Sequence, residues 1–151
     1  MEPIHIVAAK RSPIGRFGGG LKDIPPSELA TQVAAAVLPE GIRNAVSEVI
    51  LGQVLQAGSG MNIARQVALR LGLPHAVPGY TVNMACGSSL KAVALGMASL
   101  QQNGSGLVLA GGVENMSAAP HLLPDLRWGR KLGTGSLIDC IQQDGLTDPF
   151  L

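Results

Sequence analysis

An α/β fold with a largely parallel sheet is what the sequence predicts, and three observations carry that reading. Strand-like and helix-like segments alternate along the chain, as in a parallel sheet crossed by helices. Leu29, Val33 and Val37 recur at four-residue intervals, which stripes one face of a helix. Residues 107–110 form a short apolar run of strand length directly after a long apolar helical segment over 88–102.

The elements follow in order. Residues 4–9 read as the first strand. Between Arg11 and Gly20, Pro13 joins Gly15, Gly18, Gly19 and Gly20, a mixture that blocks both helix and ladder and therefore predicts a loop. A first helix begins near Pro26 and Ser27, where proline suits the first turn and serine can cap, and Pro39 ends it. Residues 48–55 are the second strand and 62–71 the second helix, capped by Asn62 and closed by Gly72 and Pro74. Residues 80–85 are the third strand. The helix over 88–102 carries Leu90, Val93, Met97 and Leu100 on one stripe, with Ala92, Leu95 and Ala98 filling much of the rest. Lys91 is its only charge, so it is expected to be buried nearly all round. After the fourth strand, residues 117–148 lose periodicity, which sets the end of the compact unit near Ser117 and divides the chain into 1–117 and 118–151.

Composition narrows the function classes. A chain of 151 residues with 46% hydrophobic residues can build one sizeable core. Charged residues make up 14%, against roughly 25% in an ordinary domain, a shortage that points to burial against another surface. A net charge of +1 and 3% aromatics supply neither phosphate attraction nor base stacking, so nucleic acid is not an expected partner. No apolar stretch approaches the roughly 20 residues needed to cross a bilayer, and the start shows no leader pattern, so the expectation is an unprocessed cytoplasmic protein. Two cysteines, Cys86 and Cys140, make neither a disulfide framework nor a zinc site. The cluster Gly58-Ser59-Gly60 has Ile63 where a dinucleotide fingerprint needs its third glycine, and no P-loop ending occurs. These glycines read as turn and packing positions.

Cys86 stands between the third strand and the long apolar helix. Unpaired N–H groups and the helix dipole favour an anion at such a helix start, and the thiolate is the form of cysteine that attacks carbonyls. A strand-to-helix turn also exposes its side chain at the carboxyl edge of a parallel sheet, where open α/β folds bind ligands. By geometry alone two readings stay open: a nucleophile, or a small buried hydrophobe, since free cysteines are among the most buried residue types.

The surrounding residues separate the two. Val82-Asn83-Met84-Ala85-Cys86-Gly87-Ser88-Ser89-Leu90-Lys91-Ala92-Val93, with Leu100 at its distance, resembles the acyl-enzyme signature of the thiolase family. Arg11-Ser12-Pro13-Ile14-Gly15-Arg16-Phe17-Gly18-Gly19, Gly52-Gln53-Val54-Leu55-Gln56-Ala57-Gly58, Asn62-Ile63-Ala64-Arg65-Gln66 and Gly111-Gly112-Val113-Glu114-Asn115-Met116-Ser117 follow in the family's order. The resemblance covers essentially the whole chain. It implies a thiolase fold, five-layered αβαβα when complete, of which this chain is most of the N-terminal βαβαβαββ half without its closing strand, plus the start of the loop domain. It implies Cys86 as the catalytic nucleophile, taking an acetyl group from acetyl-CoA. It further implies Claisen condensation with a second acetyl-CoA to acetoacetyl-CoA and CoA, the reverse thiolysis, and no metal or redox cofactor. The Cys86 N–H is implied to serve an oxyanion hole.

The other residues carry less. The family's second catalytic cysteine stands in a Cys-x-Gly turn, whereas Cys140 precedes Ile141 and Gln142, so Cys140 reads as a partly buried side chain. The family's histidine stands in Gly-His-Pro, and none of His5, His75 and His121 does; packing or exposure explains them. With those groups missing, residues 1–151 alone are expected to be inactive. Ser88 reads as a helix cap, and Glu114 and Ser117 as holding the loop after the fourth strand. Residues 126–133, with Arg127, Trp128, Arg130 and Lys131, then residues 137–139 and 144–150, resemble the tetramerisation segment of short-chain, biosynthetic thiolases, implying a homotetramer. As a plain basic loop the same cations could attract CoA phosphates. A ketoacyl synthase of the same superfamily and a non-catalytic thiolase-like subunit are the alternative readings.

Overall fold

The computed structural model describes residues 3–148 and 150. Three parallel strands, β1 (Val46–Gly52), β2 (Gly79–Val82) and β3 (Leu107–Gly112), form a sheet in the order β2-β1-β3. Helices α1 (Pro26–Val37) and α2 (Ile63–Arg70) lie on one face, and α3 (Ser88–Asn103) packs on β1 and β3 from the other. The predicted α/β architecture is therefore observed.

Alternation along β1 divides the core. Val49 and Leu51 join Ile63, Ala64, Val67, Ala68 and Leu71 of α2 and its C-terminal turn, with Ala34 and Leu38 from α1 and its end. Ile50 and Gly52 belong to the opposite face, beneath α3. Covering on both faces makes β1 apolar over its last four residues, the usual pattern of a central parallel strand. Full burial of Ile63 or Val67 contributes about 1.5–3 kcal/mol each.

Helix boundaries follow their caps. Asn62 accepts from Arg65 N at 3.3 Å, as expected of the residue that starts α2. The start of α1 differs from expectation: Pro25 is the N-cap and Pro26 follows, no side chain caps, and Ser27 is buried with its carbonyl accepting from Thr31 Oγ1 at 2.6 Å. Two prolines fix φ and remove donors at those positions, so little is left for a hydroxyl to cap.

The first predicted strand does not form. Residues 3–16 have no regular structure, and all those from 3 to 11 are exposed. A strand requires a ladder partner, and residues 4–9 pair with neither of the sheet's two edge strands, β2 and β3. α3 also departs from the expectation of all-round burial. Its sheet-facing positions are Ser88, Ala92 and Gly96, while Leu90 is 73%, Met97 48% and Val93 40% exposed. Small residues seat the helix close to the sheet, so its large apolar side chains point away from the sheet.

Beyond Ser117, two-residue strands β4 (His121–Leu122) and β5 (Ile138–Asp139) pair antiparallel and hold a long exposed loop. A single π-helical turn follows at Ile141–Leu146. Among the described residues no helix is long and apolar enough to cross a membrane.

Candidate active site

The carboxyl edge of the sheet is formed by Gly52, Val82 and Gly112, which lie in register on the three strands. Here α3 begins against bare backbone. A Cβ on Gly52 would stand 2.6 Å from Ser88 C, 2.7 Å from Ser88 Cβ and 2.8 Å from Ser89 N, so only glycine permits this approach. Gly112 is also close to α3, but there the nearest group is the Ser89 side chain. These two glycines, ordinary members of their motifs in the sequence, set the position of the helix start and with it Cys86.

β2 ends at Val82, three residues earlier than predicted, so Cys86 stands in a tight turn rather than directly on the strand. Ala85 N donates to Asn83 Oδ1 at 3.0 Å, Gly87 N to Met84 O at 3.0 Å, and Ser88 N to Ala85 O at 3.1 Å. The turn holds Ala85 at φ 45, the left-handed region that costs an L-residue roughly 1–2 kcal/mol. Cys86 is exposed, immediately before the Gly87 N-cap of α3. Ser88 does not cap the helix; its hydroxyl accepts from Met84 N at 2.8 Å and donates to Ala85 O at 2.6 Å.

Cys140 is the opposite kind of thiol. Rather than partly buried, it is fully buried, and that burial, with the Asp144 and Asp139 carboxylates, pushes its pKa up. His5, His75 and His121 are all exposed, and none hydrogen-bonds Cys86 among the described residues. Hollows of about 660 Å³ around Asp125, Arg130 and Ser136, and about 410 Å³ between Lys22, Pro26, Ser59 and Ser117, both lie away from Cys86.

The segment after β3 buttresses this edge. Glu114 accepts from Val54 N at 2.9 Å and Leu55 N at 3.0 Å, gripping the chain that leaves β1. Ser117 Oγ accepts from Gly18 N at 2.9 Å. Sequence reasoning passed over Asn115, whose Nδ2 donates to Leu21 O, Lys22 O and Ile24 O at 2.8–3.1 Å and ties down the glycine-rich loop. An asparagine beside Glu114 and Ser117 was the available signal, since its amide can satisfy several carbonyls at once. Glu114→Ala removes two charge-assisted hydrogen bonds and is expected to destabilise the fold by about 1–3 kcal/mol in a urea titration; an unchanged midpoint would remove the buttressing role. In the exposed loop Arg130 is engaged by Asp125 and Thr134 O, leaving Arg127 and Lys131 without an ion pair among the described residues.

The chain is 49% identical over 152 residues to the acetyl-CoA acetyltransferase of Cupriavidus necator, covering 99% of this chain and 39% of that protein. It is 48% identical over 149 residues to the acetyl-CoA acetyltransferase of Chromobacterium violaceum, covering 97% of this chain and 38% of that one. The chain thus spans about two-fifths of the length of the curated relatives it matches. The crystal structure of the Bacillus anthracis acetyl-CoA acetyltransferase superimposes with a TM-score of 0.82 at 40% identity, over 91% of this chain and 35% of that one. Residues 4–151 match the family model for the thiolase N-terminal domain, and the chain accordingly belongs to the thiolase family.

Proposed function

We propose that the protein bearing this chain is an acetyl-CoA C-acetyltransferase and that Cys86 is its acyl-accepting nucleophile. The observation that carries the reading is an exposed thiol on a strained, glycine-seated turn at the carboxyl edge of the sheet, within a chain nearly half identical to proteins of that name. The Cys86 thiolate attacks the carbonyl of acetyl-CoA, and CoA leaves as its thiolate, which takes up a proton. A second acetyl-CoA loses a methyl proton to a base; the carbanion attacks the acetyl-cysteine carbonyl, and the Cys86 sulfur departs from acetoacetyl-CoA. Thiolysis runs the same steps backwards. Neither Cys140, buried and held protonated, nor the exposed His5, His75 and His121 is assigned as the base. Within this reading residues 1–117 are the α/β portion and 118–151 the start of a loop domain. A metabolic reaction on CoA thioesters with free thiols fits the reducing cytoplasm.

Incubation of the intact protein with acetyl-CoA alone tests the reading: one CoA is released per subunit, and peptide mapping finds the acetyl thioester on Cys86. An acetyl group elsewhere, or none, would overturn it.

The same reading includes a homotetramer in which the loop between β4 and β5 makes one contact. Leu126, Trp128 and Leu132 are 65%, 89% and 94% exposed there, and each gains by burial against another copy. Leu126→Asp, Trp128→Asp and Leu132→Asp together are expected to leave a dimer by light scattering, whereas an unchanged tetramer would assign the contact elsewhere.

A further inference from the structure

We propose that Ser88 is a positioning residue for Cys86, acting through the strained Ala85 rather than as a helix cap; the assignment rests on the reading of Cys86 as the acyl-accepting thiol. The Ser88 hydroxyl is nearly buried, at 4% exposure of the residue, and makes two short hydrogen bonds that bracket Ala85: it accepts from Met84 N at 2.8 Å and donates to Ala85 O at 2.6 Å. One small hydroxyl accepts and donates at once, which neither a methyl nor an ammonium group does. Ala85 between these bonds sits at φ 45, a conformation that an L-residue leaves for negative φ unless its surroundings hold it. Cys86 is the next residue, so a change of φ at Ala85 re-aims its Cα–Cβ bond. The other end of the bracket is fixed, because the Ser88 backbone lies against Gly52 too closely for any Cβ at that position. The hydroxyl therefore links an immovable contact, helix start on central strand, to the residue whose strain directs the nucleophile.

The test compares Ser88→Ala, Ser88→Thr, Ala85→Gly and Ala85→Gly/Ser88→Ala in the intact protein. Iodoacetamide alkylation of Cys86, located by peptide mapping, is followed beside thermal unfolding and acetoacetyl-CoA cleavage. Ser88→Ala is expected to slow alkylation and kcat by about 10- to 100-fold, the effect of a misplacement of up to ~1 Å, with KM within about threefold. Ser88→Thr, which keeps the hydroxyl, stays within about threefold of wild type by the same scale. In the Ala85→Gly background the loss from Ser88→Ala shrinks, since glycine adopts positive φ without being held. A folded Ser88→Ala with wild-type alkylation, or an equal loss in both backgrounds, overturns the proposal. Where Ser88→Ala alone does not fold, folding regained in the double variant supports it and continued failure overturns it. Alkylation needs no acyl transfer, so a wild-type protein alkylated at Cys86 but never acetylated sinks the acetyltransferase reading and leaves the Ser88 comparison decisive.

Discussion

Cys86→Ala is expected to lower acetyl transfer in the intact protein by about 10⁴-fold or more, the scale on which removing a covalent nucleophile acts, while the fold persists. The side chain is exposed on a turn whose Ala85 and Met84 N–H groups donate to Asn83 Oδ1 and Ser88 Oγ, so alanine removes the sulfur without opening a cavity. The same contrast predicts selectivity between the two thiols. Substoichiometric iodoacetamide should label Cys86, and Cys140 should react only after unfolding, because it is fully buried and its pKa is raised by burial and by Asp144 and Asp139. The shift also has a sign for stability. A thiol whose folded pKa lies above its unfolded value of about 8.5 ionises first in the unfolded chain, so its contribution is present below that pH and is lost as pH rises through the folded value. Urea midpoints falling above about pH 8.5 in wild type, and falling less in Cys140→Ala, would bear this out. Retained activity in Cys86→Ala, or labelling of Cys140 before Cys86, would reverse the assignment.

The second large effect is expected at a residue with no side chain. In Gly52→Ala the new Cβ meets Ser88 and Ser89 backbone atoms between 2.6 and 2.8 Å, and no side-chain rotation relieves contact with backbone. The helix start must lift from β1, an overpacking strain of about 1–3 kcal/mol. It carries Cys86 with it, and displacement toward ~1 Å lowers transfer and alkylation rates by about 10²-fold. Gly112→Ala should be milder in rate, because its most severe clash is with the Ser89 hydroxyl, which can rotate away. Differential scanning calorimetry and Cys86 alkylation read both terms; a Gly52→Ala protein with unchanged melting and alkylation would show that the close approach does not position the thiol.

Much of this protein was determined by its sequence alone because the relevant physics is local. The alternation of strands and helices, the Asn62 cap, the prolines bounding α1 and the Cys86 turn each depend on residues within a few positions of one another. The motif around Cys86 named the family on the same local evidence. What only the tertiary structure decided involves partners distant in the chain. Residues 4–9 have strand composition, yet a strand exists only beside another, and these residues pair with neither edge strand of the sheet. The apolar stripe of α3 reads as buried, but burial depends on what lies opposite, and Ala92 and Gly96 turned out to face the sheet while Leu90 and Met97 face out. Ser88 has the composition of a cap, and became a bracket because the turn brought Met84 and Ala85 within reach of its hydroxyl. Gly52, Gly112 and Asn115 gained their roles through contacts spanning 36 to 94 positions in sequence for Gly52 and Asn115, and no local pattern encodes which backbone will be that close.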